Sequence, residues 1–524
     1  MRALVTPVLL LVTAGLVFLA WMNPHVLDPR RVGWLLDGQD RGQSWLGCYA
    51  YQYGGWPGMR QQLLLAPEGT PLLLTDSLPL LCWIAAPLMP LGWQALGWWY
   101  LLCVVLQIGF AWALLDRAPG RAPRLIGAVL LGALPVFFAR AQHPSLCAQW
   151  LILWGLWVYR DAARAERLSA WAPVLGLAAL IHNYLLVIVA SLWAGALLRG
   201  LVRGPRGATL LRAAIGLAGV ALMLWAQGVF GGGYRSTRTY GGFPLALDAW
   251  INPANPDFTA LLPSSPNIME NWFEGFNYLG AGGLLAVALG LGAWAAAWRA
   301  RGALDPEIKR LAWLAPGFLI LTLIAIGPHP WWRGEPVFTL HLPPLLRDAL
   351  DPVRASGRLF WPVTYTLMYV ALAGVMRLRL ALLALGAALA LQIVDTAPML
   401  AQLRYTSLRA SVPRLYRHAR DPRWDALIDR ARRVDFPPAD ESLKLEIQQD
   451  ISARTLARGK PLGFNYVARL STSARDRLAR EQAAFAAGRV PPGVLVILLD
   501  GKAPPALRAR VRRLDGIAYI PPAP

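Results

Sequence analysis

The sequence predicts a mainly α-helical, polytopic membrane bundle followed by a small soluble α/β domain. Hydrophobic residues make up 56% of the chain and charged residues only 15%, which exceeds the apolar content that a soluble core needs. Apolar runs recur over residues 1–400, whereas residues 403–524 hold 23 Lys and Arg against 12 Asp and Glu and only short apolar runs. We therefore expect a transmembrane domain over 1–400 and a separate soluble domain over 403–524.

The first apolar segment, Leu4–Trp21, is predicted to be an uncleaved membrane span. It follows a single basic residue, Arg2, and no small-residue cleavage site comes before Asn23 and Pro24. We expect this span to begin in the cytoplasm and to exit outward.

Further apolar runs and arginine-rich connections set the predicted topology. The runs lie near residues 77–91, 93–115, 124–140, 145–159, 170–198, 209–229, 278–298, 310–327, 359–376 and 379–397. The basic connections lie at 116–124, 160–167, 199–212, 299–310 and 377–379, and the positive-inside rule places them in the cytoplasm. The result is about 11 spans in a bacterial inner membrane. The long loops 22–76, 230–277 and 328–358 and the C-terminal domain then lie in the periplasm.

Two apolar segments are predicted not to cross as single helices. Residues 77–91 contain Pro79, Pro87 and Pro90, which favours an interfacial or re-entrant helix. Residues 171–199 have basic flanks at both ends, so we expect the chain to turn back at "HNY", with His182 near the outer surface. The alternative is one long tilted helix, which would invert the topology downstream.

Charge and cysteine patterns exclude two other classes of function. The net charge is +21, but the arginines flank apolar runs instead of forming a basic stripe with interleaved aromatic residues. Membrane lipids are therefore the expected partner and nucleic acid is not. Cys82 and Cys103 lie in apolar runs, and no CxxC or zinc-type spacing occurs among the four cysteines, so cysteine chemistry is not expected.

Ionisable groups are concentrated in the predicted outer loops, and the spans hold almost none. A transporter usually places such groups at the bilayer midplane, whereas an enzyme that acts on a lipid-linked substrate needs them at headgroup level. The pattern favours the enzyme. The outer residues are Asp37, Asp40, Asp76, His143, Arg235, Arg238, Glu270, Glu274, His329, Arg333, His341, Asp348, Asp351, Arg354 and Arg358.

Two stretches carry the groups that sugar transfer from a lipid phosphate requires. In "DGQDRGQ", the two glycines favour a loop in which only one carboxylate faces inward, and we predict Asp40 as the catalytic group with Asp37 as the fallback. Asp40 leads into "SWLGCYAY", which we expect to form a helix along the membrane surface. In "DPVRASGR", Arg354 and Arg358 are predicted to bind the donor phosphate. Headgroup anchoring is the alternative for both arginines.

Six further residues are predicted to contact the substrate, each with a structural alternative. Asp76 or Ser77 is expected to cap the helix that follows, with Pro79 in its first turn. His143 and His182 are also typical of hydrogen-bonded turns. The helically spaced residues of "EGFNYLG" form either a cap with an aromatic belt or a sugar-binding edge. The six substrate-binding candidates are Asp76, His143, His182, Glu274, Asn277 and Tyr278.

The motifs also resemble known membrane proteins. "GQDRGQSWLGCYAY", "TDSLPLL", "EGFNYLG" and "RASGRLFWPVTY" resemble a bacterial membrane protein family of unassigned function. An acidic first outer loop, short spans, the turns "HPSL" and "HNYL" and an external C-terminal domain look like the GT-C superfamily of glycosyltransferases. This resemblance covers roughly residues 1–400. It implies a polyprenyl-phosphate sugar donor and Asp40 as base or partner of a divalent cation such as Mg²⁺ or Mn²⁺.

One position departs from the pattern of that superfamily. Ser44 stands where some relatives carry a histidine, four residues after the aspartate. The resemblance therefore carries no metal or substrate contact over to this position.

The predicted activity is transfer of the sugar to an envelope glycan, lipid or protein on the periplasmic side. The alternative is a non-enzymatic glycolipid transporter or an assembly partner of an envelope polysaccharide machine. In the tail we expect helices over 421–433 and 503–514 and strands over 493–499 and 516–522. The tail contains no nucleotide-binding or hydrolase motif.

Overall fold

Helices make up most of the chain, as the apolar runs predict. The computed structural model describes residues 2–233, 239–265, 272–439 and 443–523. The helices are α1 Arg2–Trp21, α2 Asp40–Gln52, α3 Pro79–Leu88, α4 Leu96–Leu114, α5 Arg121–Gly132, α6 Pro135–Phe138, α7 Trp150–Arg160, α8 Ala162–Ala165, α9 Leu168–Ile181, α10 Asn183–Arg203, α11 Arg206–Ala226, α12 Gly280–Arg301, α13 Pro306–Leu311, α14 Ala315–Ile326, α15 Pro344–Leu350, α16 Trp361–Val375, α17 Ala381–Ser407, α18 Arg423–Arg430, α19 Leu445–Ala457 and α20 Thr472–Ala486. The strands are β1 Arg60–Gln61, β2 Thr70–Pro71, β3 Trp331–Trp332, β4 Glu335–Pro336, β5 Arg433–Asp435, β6 Val494–Leu498, β7 Arg512–Leu514 and β8 Ile517–Ile520.

Within the described residues, six helical segments are long and apolar enough to cross a membrane, as in a membrane protein. They are Leu96–Leu114, Asn183–Arg203, Arg206–Ala226, Trp272–Arg301, Pro306–Ile326 and Ala381–Ser411.

The predicted count of about 11 spans is too high. The other apolar helices are shorter: Val5–Trp21 is the apolar part of α1, and α5, α7, α9 and α16 have 12, 11, 14 and 15 residues. At 1.5 Å per residue, helices of this last group measure roughly 17–23 Å, whereas a hydrocarbon core is about 30 Å thick.

Prolines explain why the helices in the predicted spans 124–140 and 145–159 are short. The backbone of Leu134 is extended (φ −68°, ψ 146°) before Pro135, and His143 leaves the helical region before Pro144. The residue that precedes a proline is pushed out of the α region because the proline ring clashes with it. The predicted run 124–140 is therefore divided between α5 and α6, and its polar end lies inside the bundle.

The chain turns back at His182, and the predicted hairpin is confirmed. His182 is extended (φ −165°, ψ 132°) between α9 and α10. Leu168, at the start of α9, and Trp193, in α10, both lie beside Gly216 of α11. Positions so far from the turn meet only if the two helices run antiparallel. The alternative of one long tilted helix is therefore wrong. The second helix of the hairpin, α10, has 21 residues.

The chain after the predicted outer loop 22–76 forms the short helix α3, with Pro79 in its first turn as predicted. The predicted cap is wrong, because Leu78 is the N-cap and no side chain caps the helix. Ser77 instead donates its hydroxyl to the carbonyl of Ser44 at 2.8 Å. A disulfide between Cys48 and Cys82 joins α2 to α3, so the expectation of no cysteine chemistry is also wrong.

The C-terminal domain contains a four-stranded sheet in the order β5-β6-β8-β7. β5 and β6 are parallel, and the other two pairs are antiparallel. The strands predicted over 493–499 and 516–522 correspond to β6 and β8. The helix predicted over 503–514 is instead a short 3₁₀ helix, Pro505–Arg510, followed by β7.

This domain packs closely on the first outer loop. Leu462 N donates to Leu63 O at 2.7 Å, and Ala468 N donates to Leu74 O at 2.8 Å. The side chain of Gln449, in α19, accepts from Gly38 N at 2.8 Å. Most residues of α2 are buried. The predicted surface helix is therefore covered by protein instead of lying along the membrane.

Candidate functional site

The candidate site is a polar cavity of about 130 Å³ at one end of the bundle. A single water needs roughly 10–15 Å³ of such space, so this cavity has room for a phosphate or sugar group. It forms where short helices stop and loops converge. The lining residues are Asp40, Asp76, His143, Ser145, Leu146, His182, Tyr184, Phe243, Glu274, Pro352, Arg354, Ala355, Arg358, Tyr466, Ala468 and Arg469.

The cavity brings together seven of the ten residues predicted to be catalytic or to bind phosphate or substrate. Asp37, Asn277 and Tyr278 do not line it. The candidates that do are Asp40, Asp76, His143, His182, Glu274, Arg354 and Arg358.

Asp37 points away from the cavity and pairs with Arg41. The buried Arg41 also donates to the hydroxyl of Thr406 at 3.1 Å, which fastens the start of α2 to the end of α17. Asp37 therefore has a structural partner, and Asp40 is the one carboxylate of "DGQD" that reaches the cavity.

Asn277 and Tyr278 anchor the start of α12. Asn277 donates to Gly275 O at 3.0 Å and accepts from the hydroxyl of Thr364 at 2.9 Å. Tyr278 donates its hydroxyl to Asp395 Oδ2 at 2.6 Å. Both side chains are buried, so they correspond to the structural alternative rather than to a sugar-binding edge.

A histidine connects two carboxylates at the wall of the cavity. Asp40 Oδ2 lies 2.5 Å from His143 Nδ1, and Glu274 Oε1 lies 3.7 Å from His143 Nε2. Asp40 is the first residue of α2, where the helix dipole favours a negative charge. The imidazole is thereby oriented with one nitrogen toward each acid.

Glu274 is held by two buried arginines. Arg140 Nη1 donates to Oε2 at 2.7 Å, and Arg358 Nε donates to the same oxygen at 2.6 Å. Arg358 Nη2 also donates to Oε1. The guanidinium fork predicted to bind a phosphate is therefore occupied by a carboxylate. Arg140 escaped the sequence analysis because it lies at the end of an apolar run.

Asp76 is a lining carboxyl group whose pKa is raised by its surroundings. Burial raises its pKa to about 7, and the negative charge of Asp40 contributes in the same direction. The nearby His143, Arg354 and Arg358 act in the opposite direction. Its backbone is left-handed, with φ 54°, and this conformation ends the preceding 3₁₀ helix and directs the chain into α3.

The hairpin turn contributes a histidine and a tyrosine. His182 Nδ1 accepts from Tyr184 N at 3.1 Å, which leaves the ring proton on Nε2. The hydroxyl of Tyr184 accepts from Ala355 N at 2.8 Å. The guanidinium of Arg358 lies 5.0 Å from the centre of the Tyr184 ring. The turn thus positions the loop that carries the arginines.

Two further arginines, Arg354 and Arg469, line the cavity and come from different parts of the chain. Arg354 lies 5.4 Å from the ring centre of Phe243. Arg469, from the C-terminal domain, donates to the carbonyls of Asp351 and Pro352 at 3.3 and 3.4 Å. The sequence analysis missed Arg469 and Tyr466 because it treated the tail as a separate domain.

The described ranges contain no group of three His, Cys, Asp or Glu side chains placed to hold a metal ion. A divalent cation at Asp40 and Asp76 would therefore need oxygen ligands from a substrate phosphate or water as well. Among the other outer-loop candidates, His329, Arg333, His341 and Asp348 are not lining residues. Arg235, Arg238 and Glu270 lie outside the described residues.

Two family models match the chain. One, described as "Domain of unknown function (DUF6311)", matches residues 11–397. The other, described as "DUF6311 C-terminal domain", matches residues 423–522. No curated protein matches the sequence.

Proposed function

This chain belongs to the DUF6311 family, a family described only as a domain of unknown function, and we propose from its cavity that it is an integral-membrane glycosyltransferase. It moves a sugar from a polyprenyl-phosphate donor to an acceptor hydroxyl of an envelope glycan, lipid or protein. One observation carries the proposal. A single cavity at the end of membrane-length helices combines the carboxylates Asp40 and Asp76 with Arg354 and Arg469.

Asp40 acts as the general base in this proposal. It accepts the proton of the acceptor hydroxyl while the hydroxyl oxygen bonds to the anomeric carbon of the sugar. The bond between that carbon and the phosphate oxygen breaks, and polyprenyl phosphate leaves with the electron pair. The proton, the new bond and the leaving group are thereby all accounted for.

His143 and Glu274 position the base. The 2.5 Å contact between His143 and Asp40 fixes the carboxylate, and Glu274, itself held by Arg140 and Arg358, fixes the imidazole. A base that is already oriented does not need to reorganise during the reaction. Arg140, Arg358 and Glu274 are positioning residues on this account.

Arginines stabilise the negative charge of the leaving phosphate in this proposal. Arg354 and Arg469 line the cavity and are proposed to contact the phosphate oxygens directly. Arg358 adds positive charge nearby, but its planar fork already holds Glu274.

Asp76 keeps its proton up to near neutral pH on this proposal. The pKa of Asp76 is raised to about 7 by burial and by Asp40, and two neighbouring carboxylates resist carrying two negative charges. The pair is therefore suited to accept a proton from a hydroxyl. A divalent cation such as Mg²⁺ or Mn²⁺ would bind there only with substrate oxygens completing its coordination.

The disulfide supports placing the cavity on the periplasmic side. The Cys48–Cys82 bridge joins α2, which begins at Asp40, to α3. Disulfides persist in the periplasm and are rare in the cytosol. The basic connections at the other ends of the helices agree with this orientation, with the N-terminus inside and the C-terminal domain outside.

The experiment compares Asp40→Asn with Asp37→Asn in purified protein reconstituted into lipid vesicles. Radiolabelled polyprenyl-phosphate sugars are the probes, and release of polyprenyl phosphate is the readout. Asp40→Asn removes the proton acceptor, so we expect a loss of about a hundredfold or more in rate. Asp37→Asn is the matched control, because Asp37 lies three residues away and outside the cavity, and its rate should change little.

Three results would count against the enzyme. Equal rates for wild type and Asp40→Asn would remove the base from the mechanism. Unchanged movement of a fluorescent glycolipid across the bilayer in Asp40→Asn, without any transfer in wild type, would favour the transporter alternative. A loss in Asp37→Asn equal to that in Asp40→Asn would assign the effect to folding of α2 instead of to chemistry.

A further inference from the structure

Residues 331–350 form a projecting segment, here called the apolar arm, beside the cavity. It contains the β3–β4 hairpin and α15. Its base is fixed to the protein, since Leu247 N donates to Trp331 O and Val337 N donates to Pro330 O, both at 2.8 Å. Beyond this base, nearly every residue of the arm is exposed.

Six large apolar side chains of the arm are exposed: that of Leu345 is 84% exposed, and the other five are between 43% and 55% exposed. The arm also exposes the ionisable residues Arg333, Glu335, His341, Arg347 and Asp348. Neighbouring residues in the sequence are exposed together, so apolar side chains point in several directions and not along one face. The exposed large hydrophobic residues are Trp332, Val337, Phe338, Leu340, Leu345 and Leu346.

The two helices that flank the arm show from which end of the bundle it leaves. It follows α14, which ends at Ile326, and it precedes α16, which begins at Trp361. Ser356 donates its hydroxyl to Ala325 O at 3.3 Å, so the end of α14 lies next to the loop that carries Arg354. The arm therefore leaves the bundle at the same membrane surface as the cavity.

We propose that the apolar arm inserts into the lipid leaflet at the cavity end of the bundle. Lipid covers apolar side chains that point in several directions, whereas one flat protein surface covers a single face. The arm also carries Trp331, Trp332, Arg333 and Arg347, and tryptophan and arginine are typical of the boundary between headgroups and acyl chains. The partner is thus a phospholipid surface.

The position of the arm has a consequence that rests on the proposed glycosyltransferase function. Arg354 follows the end of α15 by four residues and lines the cavity. A lipid-linked donor in the leaflet around the arm lies next to that arginine. The arm therefore brings the phosphate of a membrane-resident substrate to the cavity from the side.

A nitroxide label measures the depth of the arm independently of activity. Leu345→Cys is labelled in protein reconstituted into vesicles of phosphatidylethanolamine and phosphatidylglycerol. Relaxation by oxygen, which enters the bilayer, is then compared with relaxation by a water-soluble nickel chelate. Two matched positions bracket the result: Leu217→Cys on the exposed face of α11, and Lys502→Cys in the C-terminal domain.

We expect oxygen to dominate at Leu345→Cys, as at Leu217→Cys, and the nickel chelate to dominate at Lys502→Cys. Dominance of the nickel chelate at Leu345→Cys would overturn the proposal, because the arm would then lie in water. Protection from both reagents would also overturn it, because a second copy or another protein would then cover the arm. Phe338→Cys provides a second position in case labelling at Leu345 disturbs folding.

A kinetic measurement separates the arm from the proposed activity. Leu345→Asn with Leu346→Asn should raise KM for a membrane-resident donor by about fivefold or more at unchanged kcat. Leu304→Asn, an exposed leucine between α12 and α13, is the control and should change neither. If the label at Leu345→Cys reports lipid but the wild-type protein transfers no sugar, only the enzyme proposal fails. If the label reports water while Asp40→Asn still blocks transfer, the arm proposal fails alone.

Discussion

Two carboxylates of this chain lie deep in the protein but in opposite environments. Asp395, in α17, accepts hydrogen bonds from Thr259 Oγ1 at 2.5 Å, Tyr278 Oη at 2.6 Å and Ala281 N at 2.9 Å. Asp76 faces the cavity, and burial together with Asp40 raises its pKa to about 7. The first carboxylate is saturated with donors, and the second is open to a ligand.

The difference separates structural acids from acids available for chemistry. A carboxylate with three or four donors holds its surroundings together and has no lone pair left for a substrate. Glu274 belongs to the same group as Asp395, because two arginines occupy both of its oxygens. Asp40 and Asp76 are the acids available for chemistry. Substitutions at these four residues should therefore divide cleanly between stability and activity.

The largest effect is expected for Glu274→Ala. It leaves the buried side chains of Arg140 and Arg358 without their counter-charge, and breaking a buried ion pair from one side costs about 3–5 kcal/mol. Denaturant unfolding of the detergent-solubilised protein measures the loss. Asp116→Ala is the control: Asp116 is 45% exposed and its partner Arg160 keeps a second carboxylate, Glu307, at 3.6 Å, so the loss should be only about 0–1 kcal/mol. Equal losses in the two variants would contradict the assignment of Glu274.

The second effect concerns Asp395→Ala. It removes a charged acceptor from Thr259, Tyr278 and Ala281 and leaves buried donors unsatisfied, which should lower the free energy of unfolding by about 2–4 kcal/mol. Asp76→Ala is the comparison, and there the unfolding free energy should hold or rise because a desolvated carboxyl is removed. A larger loss of stability at Asp76 than at Asp395 would reverse the division between the two groups.

The sequence identified the open carboxylates because polar residues between apolar runs stand out. Asp40, Asp76 and His143 all lie between such runs. Of the two aspartates only Asp40 lines the cavity, although the loop predicted from the two glycines is wrong at Gly42, which lies in α2. The sequence did not indicate the clamp on Glu274, since Arg140 ends an apolar run and reads as part of a span. A local pattern cannot show that two buried arginines meet one glutamate.

Long-range contacts and lipid exposure account for the other differences. Arg469 reaches the cavity because Leu462 pairs with the backbone of Leu63, almost 400 residues earlier in the chain, and hydropathy carries no information about this pairing. The span count was too high for a related reason. The mostly buried α16 is as apolar as the lipid-exposed α11, so composition does not tell a protein-buried helix from a lipid-facing one.

The third prediction uses pH. The pKa of Asp76 in the folded protein, about 7, is above its ordinary value of 3.8, so the folded state binds this proton more tightly than the unfolded state. The contribution to stability is therefore present at low pH and is lost as pH rises from about 4 to about 7. Wild type should unfold at a lower temperature at pH 8 than at pH 5, and Asp76→Asn should flatten this trend.

The loss of the Asp76 proton should also change the rate of sugar transfer with pH. Wild-type transfer should rise through about pH 7 as Asp76 loses its proton. In Asp76→Asn this inflection near pH 7 should disappear. A wild-type profile that stays level between pH 5 and pH 8 would exclude this proton from the rate-limiting step.

The smallest effect is expected at the wall that the C-terminal domain supplies. Arg469→Met keeps most of the side-chain length but removes the charge proposed to face the phosphate, so KM for a polyprenyl-phosphate sugar should rise by about five- to tenfold, or roughly 1 kcal/mol. Arg480→Met, on α20 of the same domain and away from the cavity, makes the same change in net charge. If both variants raise KM equally, the effect is long-range and sensitive to salt. If Arg469→Met alone raises it and the melting temperature holds, the tail contributes a substrate contact, and the cavity is complete only when both domains are joined.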